Sequence, residues 1–375
     1  MNILIIGEYS GFAKYLSRGF RQLGHGACVL SWGDGFKKIE QEDESISINV
    51  SNYIFLGRTI RGSHHIREFF SFFFLKKKID SMRETFDCAL ILNPVFVKCN
   101  GGYKPYPTIE EVHSLLKNPT NIYLSACGND YIFNSFLPYR KKTGEYNLKR
   151  FTANMKNVSC SFENIVKHVK GVIPVMADYA YAYRYFQKKY GYKIFSTIPL
   201  PFDTNSVQFV FREETKISIL HGITRPKEKG SPYIVEALNR IKKDFSDMVN
   251  IHIVNHLPLV EYLNIVNEAT IIIDQCFAWS YGMNTIEAMS MGKVVLSGNE
   301  PENTKEFMVD SCPVVNIQPD VNDIYEKVKM LILNPDEIRR ISKLSREYAE
   351  SMHDSKIVAE KYLELFLRNN ANINY

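Results

Sequence analysis

Short unbroken apolar runs alternate along the chain with longer stretches whose apolar positions recur every three or four residues. The first run, NILIIG at 2–7, reads as a strand covered on both faces. EYSG makes a turn, FAKYLSRGFRQLG predicts a helix that stops at Gly24, and GACVLSWG predicts the next strand. A β-loop-α-β opening of this kind belongs to a doubly wound parallel sheet. Further strands are expected at DCALILN ending at Asn93, NIYLSAC ending at Cys127, and KGVIPVM.

A second series begins after IPLPFDTNS, where Pro199 and Pro201 interrupt regular structure and a linker is expected over 198–214. Strands KISILHG, NIHIVN, TIIIDQ and KVVLSG then alternate with helices GSPYIVEALNRIKKDF and PLVEYLNIVNEA, again as a parallel α/β sheet. From Asp320 to Asn369 the pattern is amphipathic helix almost throughout. The fold class expected is therefore α/β, with two Rossmann-like domains over 1–200 and 201–353 facing a cleft. Ligands in such sheets gather at the carboxyl ends of strands. The loops after Gly7, Asn93, Cys127, Leu220, Val254, Asp274 and Leu296 are the ones to inspect.

Composition narrows this picture modestly. The 375 residues are 45% hydrophobic and 23% charged, as in a globular chain. The net charge of +5 suits acidic small molecules or an anionic membrane surface, and is too weak to argue for nucleic acid. The seven cysteines include no C-x-x-C pair and read as reduced thiols of a cytoplasmic protein. The N-terminal run reads as a strand, not a signal peptide, and no run has the ~18 apolar residues of a membrane span.

Three loops carry candidate chemistry. Gly7-Glu8-Tyr9-Ser10-Gly11 is not the G-x-G-x-x-G of a dinucleotide fold, which disfavours nicotinamide or flavin. Gly11 still permits an anion to approach a helix N-terminus; a tight turn is the alternative. HGITRPKEKGSPYIVEAL puts Arg225 and Lys229 beside a helix start at Gly230 and Ser231. Two such cations suit a diphosphate, a solvated basic loop being the alternative. Gly282, Met283, Asn284 and Thr285 lead into a third helix with backbone N–H groups for a phosphate or sugar. Glu287 is placed in its first turn, able to accept the hydroxyls of a vicinal diol; a simple cap is the alternative.

The spacing of these elements resembles nucleotide-sugar glycosyltransferases of the GT-B fold, glycosyltransferase family 4 in particular. The likeness rests on the Lys-Gly loop, on GMNTIEAMSMGKVV at 282–295, on IPLPFD and on AESMHDSKIVAEKYLELF. It is strong from about Ile217 onward and slight before it. It implies a last helix, about 354–375, crossing back to the first domain. It implies that Glu287 holds the ribose, that Arg225 and Lys229 neutralise the leaving diphosphate, that Gly282 to Thr285 face phosphate and sugar, and that Asn255 and His256 lie near the base. A second glutamate, eight positions earlier in many members, is Trp279 here, with Asp274 and Gln275 the nearest polar residues.

On the acceptor side, SACGNDYIF sets Gly128, Asn129 and Asp130 past a strand. Asp130 is the candidate contact for sugar or acceptor, with a helix N-cap as its alternative. The resemblance implies retention of anomeric configuration by front-face displacement, without a metal or other cofactor, and no D-x-D motif stands in the sequence. Asp178 and Asp354 read as isolated. Residues 64–82 join Phe69, Phe70, Phe72, Phe73 and Phe74 to Lys76, Lys77 and Lys78, either an anionic-membrane contact at the inner face or a core helix with a basic end. His64 and His65 lack metal-ligand spacing. The function implied is hexose transfer from a nucleotide-diphosphate sugar, UDP-sugar foremost, to a glycan or lipid-linked acceptor in bacterial surface polysaccharide synthesis. A GT-B nucleotide-sugar epimerase or hydrolase, or an inactive binding subunit, stays open beside it.

Overall fold

The computed structural model describes residues 1–31, 39, 46–47, 54–55, 58–59, 73, 75–82, 85–97, 107–128, 130–136, 162–209, 211, 215–255 and 259–370. The first half starts with strand β1 (Asn2–Ile6), helix α1 (Phe12–Gln22) and β2 (Gly26–Ser31). Two-residue strands follow: β3 (Ile46–Ser47), then β4 (Ile54–Phe55) and β5 (Arg58–Thr59), which pair antiparallel. Next come β6 (Cys88–Ile91), α2 (Ile109–Ser114), β7 (Ile122–Ala126), α3 (Tyr131–Ser135), β8 (Val172–Pro174) and α4 (Ala177–Tyr190). Six strands form one parallel sheet in the order β3-β2-β1-β6-β7-β8.

The second half runs β9 (Ile217–Ile223), α5 (Pro226–Lys229), α6 (Ser231–Asp244), β10 (Val249–Asn255), α7 (Leu259–Glu268) and β11 (Ile271–Ile273). It continues with α8 (Met283–Ser290), β12 (Val294–Ser297), α9 (Pro301–Phe307), β13 (Val315–Asn316), α10 (Val321–Ile332), α11 (Pro335–His353) and α12 (Ser355–Asn370). Its five strands are parallel in the order β10-β9-β11-β12-β13. Central strands are apolar without a break because helices cover both faces: Ile3, Leu4, Ile5 and Ile6 are all buried, as are Val294, Val295 and Leu296. Two Rossmann-like sheets in tandem match the fold expected from the sequence.

The last helix does cross back. Tyr362 and Phe366 of α12 are buried in the core of the first half, Phe366 packs on Tyr123 with ring centroids 4.7 Å apart, and the Tyr123 hydroxyl donates to Asn370 at 2.8 Å. Gly19 of α1 lets it approach, since a Cβ there would lie 2.1 Å from the Ser355 carbonyl oxygen. The two chain crossings are stitched together: Phe202 N–H donates to the His353 carbonyl at 2.7 Å and Ser355 N–H to the Phe202 carbonyl at 2.9 Å. The Thr204 hydroxyl donates to Asp354 at 2.6 Å. Among the described residues no helix is long and apolar enough to cross a membrane. Of the aromatic-basic stretch only Phe73 and residues 75–82 are described: Phe73 and Lys76 to Lys78 are exposed, whereas Leu75 and Ile79 are buried.

Candidate functional site

A parallel sheet opens a crevice where the direction of strand succession reverses. In the first sheet that point lies between β1 and β6, in the second between β9 and β11. The loops there, 7–11 and 92–97 in one half and 224–230 and 274–282 in the other, carry most of the residues singled out in the sequence.

In the second half Arg225 caps α5, a single helical turn begun by Pro226, a residue preorganised for a first helical position. Gly230 ends it with φ 74°, and a Cβ there would meet Cys276 Sγ at 2.3 Å, so both backbone and space demand glycine. That turn carries Lys229 inward, only 3% exposed, where Nζ lies 2.5 Å from Asp274 Oδ1. Asp274 also accepts the Thr285 hydroxyl on Oδ2 at 3.2 Å. Burial would raise the Asp274 carboxyl, but the charge and hydrogen bond of Lys229, helped by Thr285, bring it below its usual value. Behind them His221 uses Nδ1 at the Ile273 carbonyl (2.8 Å) and Nε2 at the Ser231 hydroxyl (2.9 Å). Burial lowers its pKa, which leaves a neutral imidazole.

Lys229 was expected in an open loop and is instead a buried, paired cation. Arg225 is exposed; its carbonyl accepts the Lys229 N–H at 3.0 Å, and its side chain makes no hydrogen bond or ion pair among the described residues. Gly282 caps α8 with an extended backbone and open space around its α-carbon. Among the described residues, no partner takes the N–H groups of Met283 and Asn284, which belong to the unsatisfied first turn. Thr285 departs from expectation: its N–H donates to the Gly282 carbonyl at 3.0 Å and its hydroxyl to Asp274. Glu287 is the fifth residue of α8 and not in its first turn, so a dipole argument does not reach it. It faces the first half instead. Burial, and after it the Glu287 carboxylate, push the Tyr15 hydroxyl of α1 up to about 12.

The first half corrects two further expectations. Glu8, buried, accepts from the N–H groups of Gly11 (3.0 Å), Ala13 (3.3 Å) and Lys14 (3.1 Å). The anion position expected at Gly11 is thus filled by the chain's own carboxylate. Gly11, at φ 91°, makes the tight turn, and a Cβ would lie 2.6 Å from the Tyr15 ring. Asp130 is 1% exposed and is the cap of α3: Oδ1 accepts Phe133 N–H at 2.7 Å and Oδ2 the Tyr183 hydroxyl at 2.9 Å. Both oxygens are engaged by partners within the first half, and burial pushes its carboxyl up to about 7. Asn129 and His256 lie outside the described residues.

Residues whose partners the sequence did not foretell line the contact between the halves. Asp178, at the start of α4, is buried near Ser280 of the loop before α8; it accepts the Tyr179 N–H at 3.0 Å while the Ser280 hydroxyl donates to Asn303 at 2.7 Å, and burial pushes the Asp178 carboxyl up to about 6. Trp279 beside it packs edge-on against Phe136 (6.1 Å) and Tyr181 (6.3 Å) of the first half. Its carbonyl accepts from Glu300 N–H and Asn303 Nδ2, both at 2.9 Å. Gln275 spends its amide on the Ser280 carbonyl at 3.3 Å. An acid closing the all-isoleucine strand β11 was a sign that Asp274 had a buried partner. Nothing local announced Asp178. Cys28, Cys88, Cys127, Cys276 and Cys312 are free thiols, and among the described residues no three His, Cys, Asp or Glu gather to hold a metal.

No protein-family model matches the chain, and no curated protein is similar to it in sequence. Solved structures are similar in fold. Sucrose-phosphate synthase from Thermosynechococcus elongatus aligns at TM-score 0.63 and 12% identity over 99% of this chain and 100% of that one. HepE of Anabaena, solved with UDP and glucose, aligns at 0.57 and 11% over 98% and 100%. MnaA of S. aureus, solved with UDP, aligns at 0.54 and 13% over 99% and 97%. Two Rossmann-like parallel sheets with flanking helices, aligned over nearly the whole of these proteins, give the chain the GT-B fold.

Proposed function

We propose that the chain is a glycosyltransferase that moves a hexose-type sugar from a nucleotide-diphosphate sugar, UDP-sugar foremost, to a glycan or lipid-linked acceptor. One observation carries this reading. At the switch point of the second sheet, the cation Lys229 and the open N–H groups of Met283 and Asn284 converge through Asp274 and Thr285. A diphosphate needs that combination of point charge and oriented dipoles. Two relatives in fold were solved with UDP.

In this reading Arg225 closes over the diphosphate from the exposed loop, and Lys229 with the α8 N-terminus stabilises the charge that grows on it as the sugar leaves. Glu287, across from Tyr15, takes the ribose hydroxyls. Retention, independence of metals, a role in surface polysaccharide synthesis and a membrane-side acceptor approached through Phe73 and Lys76 to Lys78 belong to the same proposal. The donor domain would be 201–353, with 1–200 and the last helix on the acceptor side.

A nucleotide-sugar epimerase is the second reading, favoured by the likeness to MnaA and to a protein described as a putative UDP-N-acetylglucosamine 2-epimerase. Thermal shifts with UDP, GDP, dTDP and ADP identify the nucleotide. Release of UDP from a UDP-sugar, with and without acceptor and with and without EDTA, separates the readings. Acceptor-dependent release unaffected by EDTA supports transfer. An isomerised UDP-sugar without acceptor supports the epimerase. No stabilisation by any nucleotide sinks both.

A further inference from the structure

Lys229 and the first turn of α8 are the two features that draw an anion to this site, and the chain already places one there. Asp274 Oδ1 lies 2.5 Å from Lys229 Nζ, and Oδ2 accepts the hydroxyl of Thr285, the third residue of α8. The pair is buried, with side-chain exposures of 4% and 7%. The neighbouring titratable group, His221, is neutral and committed to Ile273 and Ser231. Asp274 is thus the counter-charge of Lys229. An ammonium has three donors, so a second anion can share it, but only against repulsion from this carboxylate.

We propose that Asp274 is a resident counter-anion of the nucleotide site, competing with the diphosphate for Lys229 and so limiting how tightly a nucleoside diphosphate is held. The inference rests on the nucleotide-sugar reading above. It gives the site a function beyond recognition: the carboxylate balances the charge of Lys229 when no diphosphate is bound and helps the product diphosphate leave.

The sign of the effect follows from charge. Asp274→Asn removes the negative charge, keeps one acceptor oxygen for Lys229, and puts an NH2 at the Thr285 hydroxyl, which can accept from it in place of donating. Repulsion between unit charges several ångströms apart, at the effective dielectric of a protein site, is large enough to tighten UDP binding about tenfold.

Isothermal titration with UDP and with uridine tests it. UDP affinity of Asp274→Asn is expected to rise about tenfold with uridine affinity unchanged, while Lys229→Met weakens UDP. A merely structural Asp274 would leave UDP affinity equal or reduced, which overturns the proposal. Should Asp274→Asn not fold, Lys229→Met/Asp274→Asn replaces the buried pair by neutral groups. It is expected to bind UDP more tightly than Lys229→Met alone, and equal or weaker binding rejects the idea. If the wild type binds UDP no better than uridine, or Lys229→Met leaves UDP affinity intact, the diphosphate site itself is wrong and this inference falls with it. If Lys229→Met weakens UDP and Asp274→Asn does not strengthen it, only the inference falls.

Discussion

The Tyr281 hydroxyl lies 3.0 Å from Nε2 of His353, which ties the loop before α8 to the end of α11. The other ring nitrogen of His353 meets the Leu200 carbonyl at 2.8 Å, so one buried imidazole joins both crossings between the halves. Burial lowers its pKa to about 4 from an ordinary 6.5. Between those values the unfolded chain binds a proton that the folded chain refuses, so stability falls as pH drops from about 6.5 to about 4. Thermal melts of His353→Gln should show a flatter decline than wild type across that window. Parallel curves would show that His353 is not the acid-sensitive group.

Asp130 works in the opposite sense. Its carboxyl is pushed up to about 7 from 3.8, so the folded state keeps a proton that the unfolded state has lost. Stability from this group is therefore present at low pH and lost as pH rises toward 7. Asp130→Asn keeps an acceptor for Phe133 N–H without the charge. Its melting temperature relative to wild type should climb between pH 4 and pH 7 and level off above. A constant difference across that range would contradict the assignment.

Arg184 of α4 and Glu306 of α9 form a two-pronged pair between the halves, at 2.6 and 2.7 Å, and the Thr197 hydroxyl donates to the same carboxylate. Arg184 is half exposed, so most of the pair's worth is geometric rather than energetic. Arg184→Ala should lower unfolding stability by only about 1 kcal/mol. Small-angle scattering should show a larger radius of gyration for the variant as the halves open. An unchanged radius would show that other contacts fix their closure.

Glu8 holds three N–H groups at the start of α1. Replacing it by alanine removes a cap from a buried helix end and should cost about 1–3 kcal/mol in urea unfolding. UDP affinity should not change, because the proposed diphosphate site lies in the other half. A variant that lost UDP binding in proportion to the wild-type site would place the phosphate at the first half after all.

The architecture was legible because parallel sheets covered on both faces write themselves as unbroken apolar runs: NILII, CALI, IYLSA, III and VVLS became β1, β6, β7, β11 and β12. The amphipathic tail became α10, α11 and α12. Short elements escaped: α9 has seven residues and β13 two, although Pro301 at the head of α9 was a readable start signal. The site was legible as a set of loops but not as a set of partners. Lys229 and Asp274 are 45 positions apart, and only the fold tells that the cation is paired. Glu8 stood in plain view in the first turn sequence, yet a carboxylate that caps its own helix looks, in sequence, like one that leaves the helix free for a ligand.

The returning helix α12 has a consequence for biosynthesis. Val358, Ala359, Tyr362 and Phe366 complete the hydrophobic core that begins with Ile3 to Ile6. They leave the ribosome after the whole second sheet has been made. The first half to be synthesised is therefore the last to be finished: its open flank along Phe20 and Tyr123 awaits α12 throughout translation of residues 201–353.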